Sequence, residues 1–377
     1  MDLLTYLDEN RASVLQTLAD LHDMPEASEK EFKTSACLAR RLEECGYDVR
    51  SGVGGTTGVI GILDSGQPGP CVGIRADMDA LLYEVDGEIV ASHACGHDAN
   101  CTEVLSAAQA IAACGGVKKG RLLVIFQPAE EVASGALALL KSGELNGLEY
   151  LVGTHLRPKQ ELPMGKILPS LRHAASGFMF GDITGTGAHG ARPHLGANAA
   201  EAAAAAVFAI NSVHVDPLVP HSAKVTMIRC GGNSLNVIPE KAEIGVDMRA
   251  QTNAIMDDLK TRVEAAIKAG AAMCGASAVC RWKTGCPAAQ DSEEMVEIAQ
   301  RAIVEALGEE ALAPCATTSG GEDFHYYAQG IPGLKTTVIG IGADLTPGLH
   351  VRGMTFNTEA VISAAKVLAL MVKSLLG

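Results

Sequence analysis

The chain has 377 residues, 47% of them hydrophobic and 20% charged, with a formal net charge of −14. That length exceeds what one hydrophobic core usually serves, so two domains are expected, and the composition leaves little room for disorder. The acidity excludes a nucleic-acid backbone or an anionic membrane as the main partner, since no lysine–arginine cluster interrupts it.

Residues 2–22 and 29–45 read as helices; in the second, Phe32, Ala36, Ala39, Leu42 and Cys45 recur at helical spacing and Gly46 offers a stop. The opening Met1-Asp2-Leu3-Leu4-Thr5 has no basic segment ahead of an apolar run, and no stretch of ~18 apolar residues follows. A cytoplasmic protein without a membrane span is expected. The eleven cysteines form no CxxC pair, which then reads as free thiols in a reducing compartment. Short β-branched runs at 59–63 and 72–74 predict strands. A helix at 102–113, a strand at 122–126, a helix at 133–141 and a strand at 150–154 continue the series. Such alternation predicts a largely parallel sheet covered by helices, with its chemistry at the carboxyl ends of the strands. Asp77, Glu130 and His155 directly follow predicted strands, and Cys95 and His97 lie on a loop leading into a helix.

From about residue 171 the rhythm changes to strand (178–183), helix (199–211), strands (224–228 and 242–248), helix (256–272) and strand (279–282). This is the pattern of a compact α+β sandwich. After Gly285 a long helix, a strand at 336–341 and a terminal helix at 359–376 return to the first style. The expected architecture is α/β: a catalytic domain of residues 1–170 and 284–377, with a mostly parallel mixed sheet, interrupted by an inserted domain at 171–283.

Chemistry concentrates in a few segments. Asp77 and Asp79 stand at i and i+2 on an extended stretch and so point the same way, although strand-end aspartates also cap turns. Ser92-His93-Ala94-Cys95-Gly96-His97-Asp98-Ala99-Asn100 holds a thiol, two imidazoles and a carboxylate, which are soft and borderline ligands for a divalent metal. Buried Cys and His can equally just pack. Glu130-Glu131 leaves a hydrophobic strand after Pro128, so one carboxylate could bind metal while the other handles protons. An acidic first helical turn is the other reading of that pair. His155 and His350 end further strand segments, and His189 and His194 sit in the glycine-rich stretch Gly185-Thr186-Gly187-Ala188-His189 to His194.

Taken in order, these segments resemble the M20 metallopeptidase family, in its amidohydrolase branch (subfamily D). That branch holds hippurate, N-acyl-amino-acid and indole-acetyl-amino-acid hydrolases and the bacterial AmhX-like amidohydrolases. The resemblance rests on Arg75-Ala76-Asp77-Met78-Asp79-Ala80-Leu81, His93-Ala94-Cys95-Gly96-His97-Asp98 and Phe126-Gln127-Pro128-Ala129-Glu130-Glu131. Asn236-Val237-Ile238-Pro239, Gly321-Glu322-Asp323-Phe324 and His350 extend it. It implies a zinc-peptidase-like catalytic domain and a ferredoxin-like insert that acts as lid and dimerisation surface of a homodimer. It also implies one or two divalent ions (zinc, manganese or cobalt) held by Cys95, His97, Glu131, His155 and His350. Glu130 would be the general base and acid, and Asp79 the carboxylate that orients the site. His189 would polarise the scissile carbonyl, and Asn236 and Arg249 would contact the carboxylate end of a small-molecule substrate. The reaction implied is hydrolysis of the amide bond of N-acyl amino acids or related conjugates. Dipeptidase or carboxypeptidase action, cleavage of another C–N bond such as one to an aromatic amine, and a non-catalytic binding role are the alternatives. The chain departs from its relatives at Leu82 (usually proline), Asn100 (usually histidine), Val132-Ala133-Ser134 (usually glycine-rich), Asp247-Met248-Arg249 and Arg192.

Overall fold

The computed structural model describes residues 1–283 and 285–377; residue 284, where the second catalytic segment is expected to begin, lies outside them. The chain divides into two compact units. The first comprises Met1–Arg172, Gln290–Ala316 and Asp323–Gly377, and the second His173–Ala289 and Thr317–Glu322.

The first unit is built on a seven-stranded mixed sheet. Across the sheet the strands run Asp48–Val53, Gly58–Asp64, Arg121–Gln127, Cys71–Asp77, Tyr150–Pro158, Lys335–Leu345 and Ile167–Leu168. The four strands from Arg121–Gln127 to Lys335–Leu345 are mutually parallel, and the outer ones pair antiparallel. The parallel strands are near-continuous apolar runs because both faces are covered. Leu122, Val124 and Phe126 enter one core with the helices Arg11–His22, Phe32–Glu44, His97–Ala113, Glu293–Leu307 and Glu359–Leu376. Their neighbours Leu123 and Ile125 enter a second core on the opposite face, with Gly135–Ser142 and His325–Gly330. The period-two alternation of a strand thus feeds two layers at once.

Three local expectations are corrected. The helix expected at 2–22 is two helices, Leu3–Glu9 and Arg11–His22, because the Asn10 amide donates to the Tyr6 carbonyl and its backbone leaves helical geometry. The helix expected from residue 29 starts at Phe32, since Glu29 takes a positive φ of 68°. The helix expected from residue 102 begins at His97. A hairpin of Leu81–Val85 and Glu88–Ser92 was not anticipated, although its Asp86-Gly87 turn, positive in φ at both residues, is a strong hairpin signal.

The second unit is a four-stranded antiparallel sheet, ordered His221–Cys230, Lys241–Ala250, Ala175–Thr184 and Ser277–Lys283. The helices Ala199–Asn211 and Asn253–Met273 supply the rest of its core. In chain order this is strand, helix, strand, strand, helix, strand, the ferredoxin-like arrangement.

Candidate metal centre

The carboxyl ends of the four parallel strands carry the polar residues of the first unit. Cys71–Asp77 delivers Asp77 and, two residues on, Asp79; Arg121–Gln127 leads into Glu130 and Glu131; Tyr150–Pro158 carries His155; Lys335–Leu345 leads to His350. Cys95 and His97 come from the start of the His97–Ala113 helix. Gly96 makes their turn possible: its φ is +87°, and an added Cβ would press on the Leu156 side chain at 3.1 Å.

These residues converge. The Cys95 thiol lies 3.6 Å from His155 Nε2 and 3.4 Å from His350 Nε2. His350 Nε2 is 3.5 Å from Glu131 Oε2, and His97 Nε2 is 3.9 Å from Glu131 Oε1. Ligands bound at about 2.0–2.3 Å in a tetrahedral shell stand roughly 3.5 Å apart, so the spacing suits a shared cation. Cys95 with His97 and His155, Cys95 with Glu131 and His350, and His97 with Glu130 and Glu131 each form a group able to hold one. The histidines are oriented for it. His97 donates Nδ1–H to the Asp79 carbonyl at 2.9 Å and His155 donates Nδ1–H to the Leu156 carbonyl at 2.7 Å, which turns both Nε2 atoms toward the cluster. His97 Nε2 and Glu131 Oε1 are buried with no hydrogen-bond partner among the described residues. Buried polar atoms are normally satisfied, so two orphans facing each other at this spacing are what a cation site leaves in the protein.

The electrostatics favour positive charge here. Burial works against an ionised Asp77, but His97 and Arg75 outweigh it and hold the carboxyl at about 2. Burial also opposes a charge on His97, yet Asp77 and Cys95 lift its pKa well above the usual imidazole range. Burial lowers His155 to about 4 and raises the Cys95 thiol. A divalent cation would reverse the last effect and bind the thiolate.

A second layer fixes these groups. Arg75 donates to Asp77, Gln127 and Asp323 at 2.8, 2.9 and 2.9 Å, and Asn100 donates Nδ2–H to Asp77 Oδ1 at 2.8 Å. Asp79 accepts the Ser28 hydroxyl at 2.6 Å and the Glu131 amide at 3.1 Å. The fully buried Glu31 accepts the Ala129 amide at 2.9 Å and the Thr57 hydroxyl at 2.6 Å, which braces the backbone just before Glu130. The Asp323 amide donates to Glu130 Oε1 at 3.3 Å. Ala129, Ala133 and His350 all adopt positive φ (55°, 54° and 60°), a strained state for non-glycine residues that tends to mark functional sites. Sequence reasoning missed Arg75, Gln127, Glu31 and Asp323 as supports. The buried Arg75 guanidinium was the available signal, because a strand arginine fully inside a protein needs carboxylates around it.

His189, Asn236 and Arg249 belong to the second unit. His189 pairs in register with Val237, and the next amide, Gly190, donates to the Asn236 carbonyl at 2.7 Å, so His189 and Asn236 share one short ladder. His189 is exposed and its Nδ1 accepts the Ala191 amide at 3.0 Å, which leaves the ring proton on Nε2. Arg249 is on the Lys241–Ala250 strand, with Nε on Asp247 at 3.2 Å.

Comparison with known proteins gives a consistent picture. The model of Peptidase family M20/M25/M40 matches residues 73–374. An N-acetyl-L-cysteine deacetylase of Bacillus subtilis is 31% identical over 396 residues, covering 100% of this chain and 93% of that protein. An IAA-amino acid hydrolase (ILR1-like 2) of Arabidopsis thaliana is 34% identical, covering 83% of this chain and 73% of that one. The crystal structure of Bacillus subtilis YXEP, described as a dinuclear metal-binding peptidase of the M20 family, aligns with a TM-score of 0.83 and 26% identity, covering 98% and 99% of the two chains.

Proposed function

This chain belongs to peptidase family M20/M25/M40, and from that premise we propose that it is a metal-dependent amidohydrolase cleaving the amide bond of N-acyl amino acids and related amino-acid conjugates. The observation that carries the reading is the cluster of Cys95, His97, Glu131, His155 and His350, with two buried atoms that lack a partner among the described residues. These five residues would hold one or two divalent ions. The thiolate favours zinc or another later first-row ion, with manganese or cobalt as the other candidates.

A bound ion supplies a Lewis acid that polarises the scissile carbonyl and activates water. The rest is the work of side chains. Glu130, whose Oε1 is steadied by the Asp323 amide, takes a proton from the attacking water and returns it to the leaving amine. Asp79 orients His97 through its backbone carbonyl and the Glu131 segment through its carboxylate. His189, with its ring proton on Nε2, has the donor that a developing oxyanion needs. Arg249 and Asn236 suit the carboxylate end of the substrate, arginine through paired hydrogen bonds. Their assignment rests on the sequence pattern of the family. The same pattern assigns residues 171–283 to a lid and dimerisation domain of a homodimer.

No described helix is long and apolar enough to cross a membrane. With the formal charge of −14, this fits a cytoplasmic enzyme acting on small molecules. The test is a panel of N-acetyl, N-benzoyl and indole-acetyl amino acids, set against free-amine dipeptides, with metal-reconstituted protein. Turnover confined to the acylated substrates is expected; turnover confined to the dipeptides overturns the substrate class.

A further inference from the structure

The His97–Ala113 helix carries a polar series that the proposed reaction leaves unused. Asn100, Glu103 and Ser106 follow His97 at intervals of three residues, so each stands beside the next on the helix. Asn100 and Glu103 are 0% exposed and Ser106 is 1% exposed. A fully buried glutamate is rare unless paired. Here Thr154 donates its hydroxyl to Glu103 Oε2 at 2.5 Å, while Glu103 Oε1, Asn100 Oδ1 and Ser106 Oγ have no partner among the described residues. Burial, reinforced by the Asp77 and Asp98 carboxylates and opposed by the Thr154 hydroxyl, keeps the Glu103 carboxyl well above the usual range.

Geometry and chemistry then complement each other. A neutral glutamic acid has a donor to place, and Asn100 Oδ1, one helical step back, is a buried acceptor without one. The other end of that amide donates Nδ2–H to Asp77 Oδ1, and Asp77 Oδ2 lies 3.7 Å from His97 Nε2. Turned the other way, the amide would set its oxygen against the Asp77 carboxylate. Something must hold it.

We propose that Glu103 is a neutral positioning acid. It donates its carboxyl proton as a hydrogen bond to Asn100 Oδ1, directly or through one water, and so locks the Asn100 amide on Asp77 and Asp77 beside His97. Asn100, which departs from the histidine of the relatives, and Glu103 thus act as one device. The inference rests on the metal-site reading above and deepens it, because the device's output is the orientation of a ligand.

The test measures cobalt(II) affinity of the full chain by chelator competition, and the visible spectrum of the bound ion. Glu103→Gln keeps a neutral donor at the same place and should bind cobalt like the wild type. Glu103→Met and Asn100→Leu should each weaken binding about 10-fold, the lower end of what outer-layer partners contribute, and shift the spectrum. The double variant should lose no more than either single one. A wild-type affinity in Glu103→Met, additive losses in the double variant, or a loss in Glu103→Gln would each overturn the proposal. Should Glu103→Met not fold, Glu103→Gln against Asn100→Leu still decides it. Failure of the wild type to bind cobalt would instead overturn the metal site itself.

Discussion

The two units hold their candidate residues in opposite ways. In the first, the candidate residues other than the exposed His350 are buried or half-buried and bonded to a layer of buried supports, and among the described residues His97 Nε2 and Glu131 Oε1 are left without partners where a cation would sit. In the second, His189 and Asn236 are exposed on a short ladder and Arg249 is bonded to a neighbouring aspartate. Burial of unpaired polar atoms is expensive, so the first arrangement declares its ligand from within a single unit. Exposed polar residues cost nothing to keep and declare nothing by themselves.

Substitutions can break or sharpen that contrast. Cys95→Ala removes the group shared by two of the ligand clusters; metal content by elemental analysis should fall to background and hydrolysis with it. Full metal occupancy in this variant would take Cys95 out of the ligand set. Glu130→Ala should keep its metal yet lose about 10²–10⁴-fold in kcat, the usual scale for a general base. Parallel loss of metal would move Glu130 into the ligand set. His189→Ala, in the second unit, should lose about 10²–10³-fold in kcat with metal content and melting temperature unchanged. An unaffected kcat would end its role as oxyanion donor and leave the chemistry entirely to the first unit. The smallest effect is on stability. Gly135→Ala would set a Cβ 1.6 Å from the Pro128 carbonyl oxygen, so unfolding should become easier by about 1–3 kcal/mol, read from urea titration.

Much of this was legible in the sequence, for physical reasons. His93-Ala94-Cys95-Gly96-His97-Asp98 and Gln127-Pro128-Ala129-Glu130-Glu131 concentrate ligand types in short segments, and the βαβ alternation places them at strand ends. The period change near residue 171 gave away the α+β topology of the second unit. What stayed hidden were pairings across long separations. Arg75 meets Asp323 248 residues away, and Glu31 meets Ala129 98 residues away. No local pattern encodes such partners. The Leu81–Val85 and Glu88–Ser92 hairpin was a different failure, since Asp86-Gly87 announces it and mixed polarity in the flanking residues masked the signal. Asp77 was also underestimated: its carboxylate lies 3.7 Å from His97 Nε2, while Asp79 meets the other ring nitrogen through its backbone carbonyl at 2.9 Å and its carboxylate at 3.3 Å.

The segments of the first unit also set an order of assembly. His350 is the last of the five proposed ligands in the chain, and the Lys335–Leu345 strand that precedes it completes the parallel centre of the sheet beside Tyr150–Pro158. Most of the second unit, His173–Ala289, is synthesised well before either, and only its Thr317–Glu322 segment comes later. Domains fold as units during synthesis, N-terminal parts first. A nascent chain of this protein therefore has most of its second unit made while the first is still open, and on the proposed ligand set cannot complete a metal shell until His350 has been made. On that ligand set, the metal shell is among the last parts of the first unit to be completed.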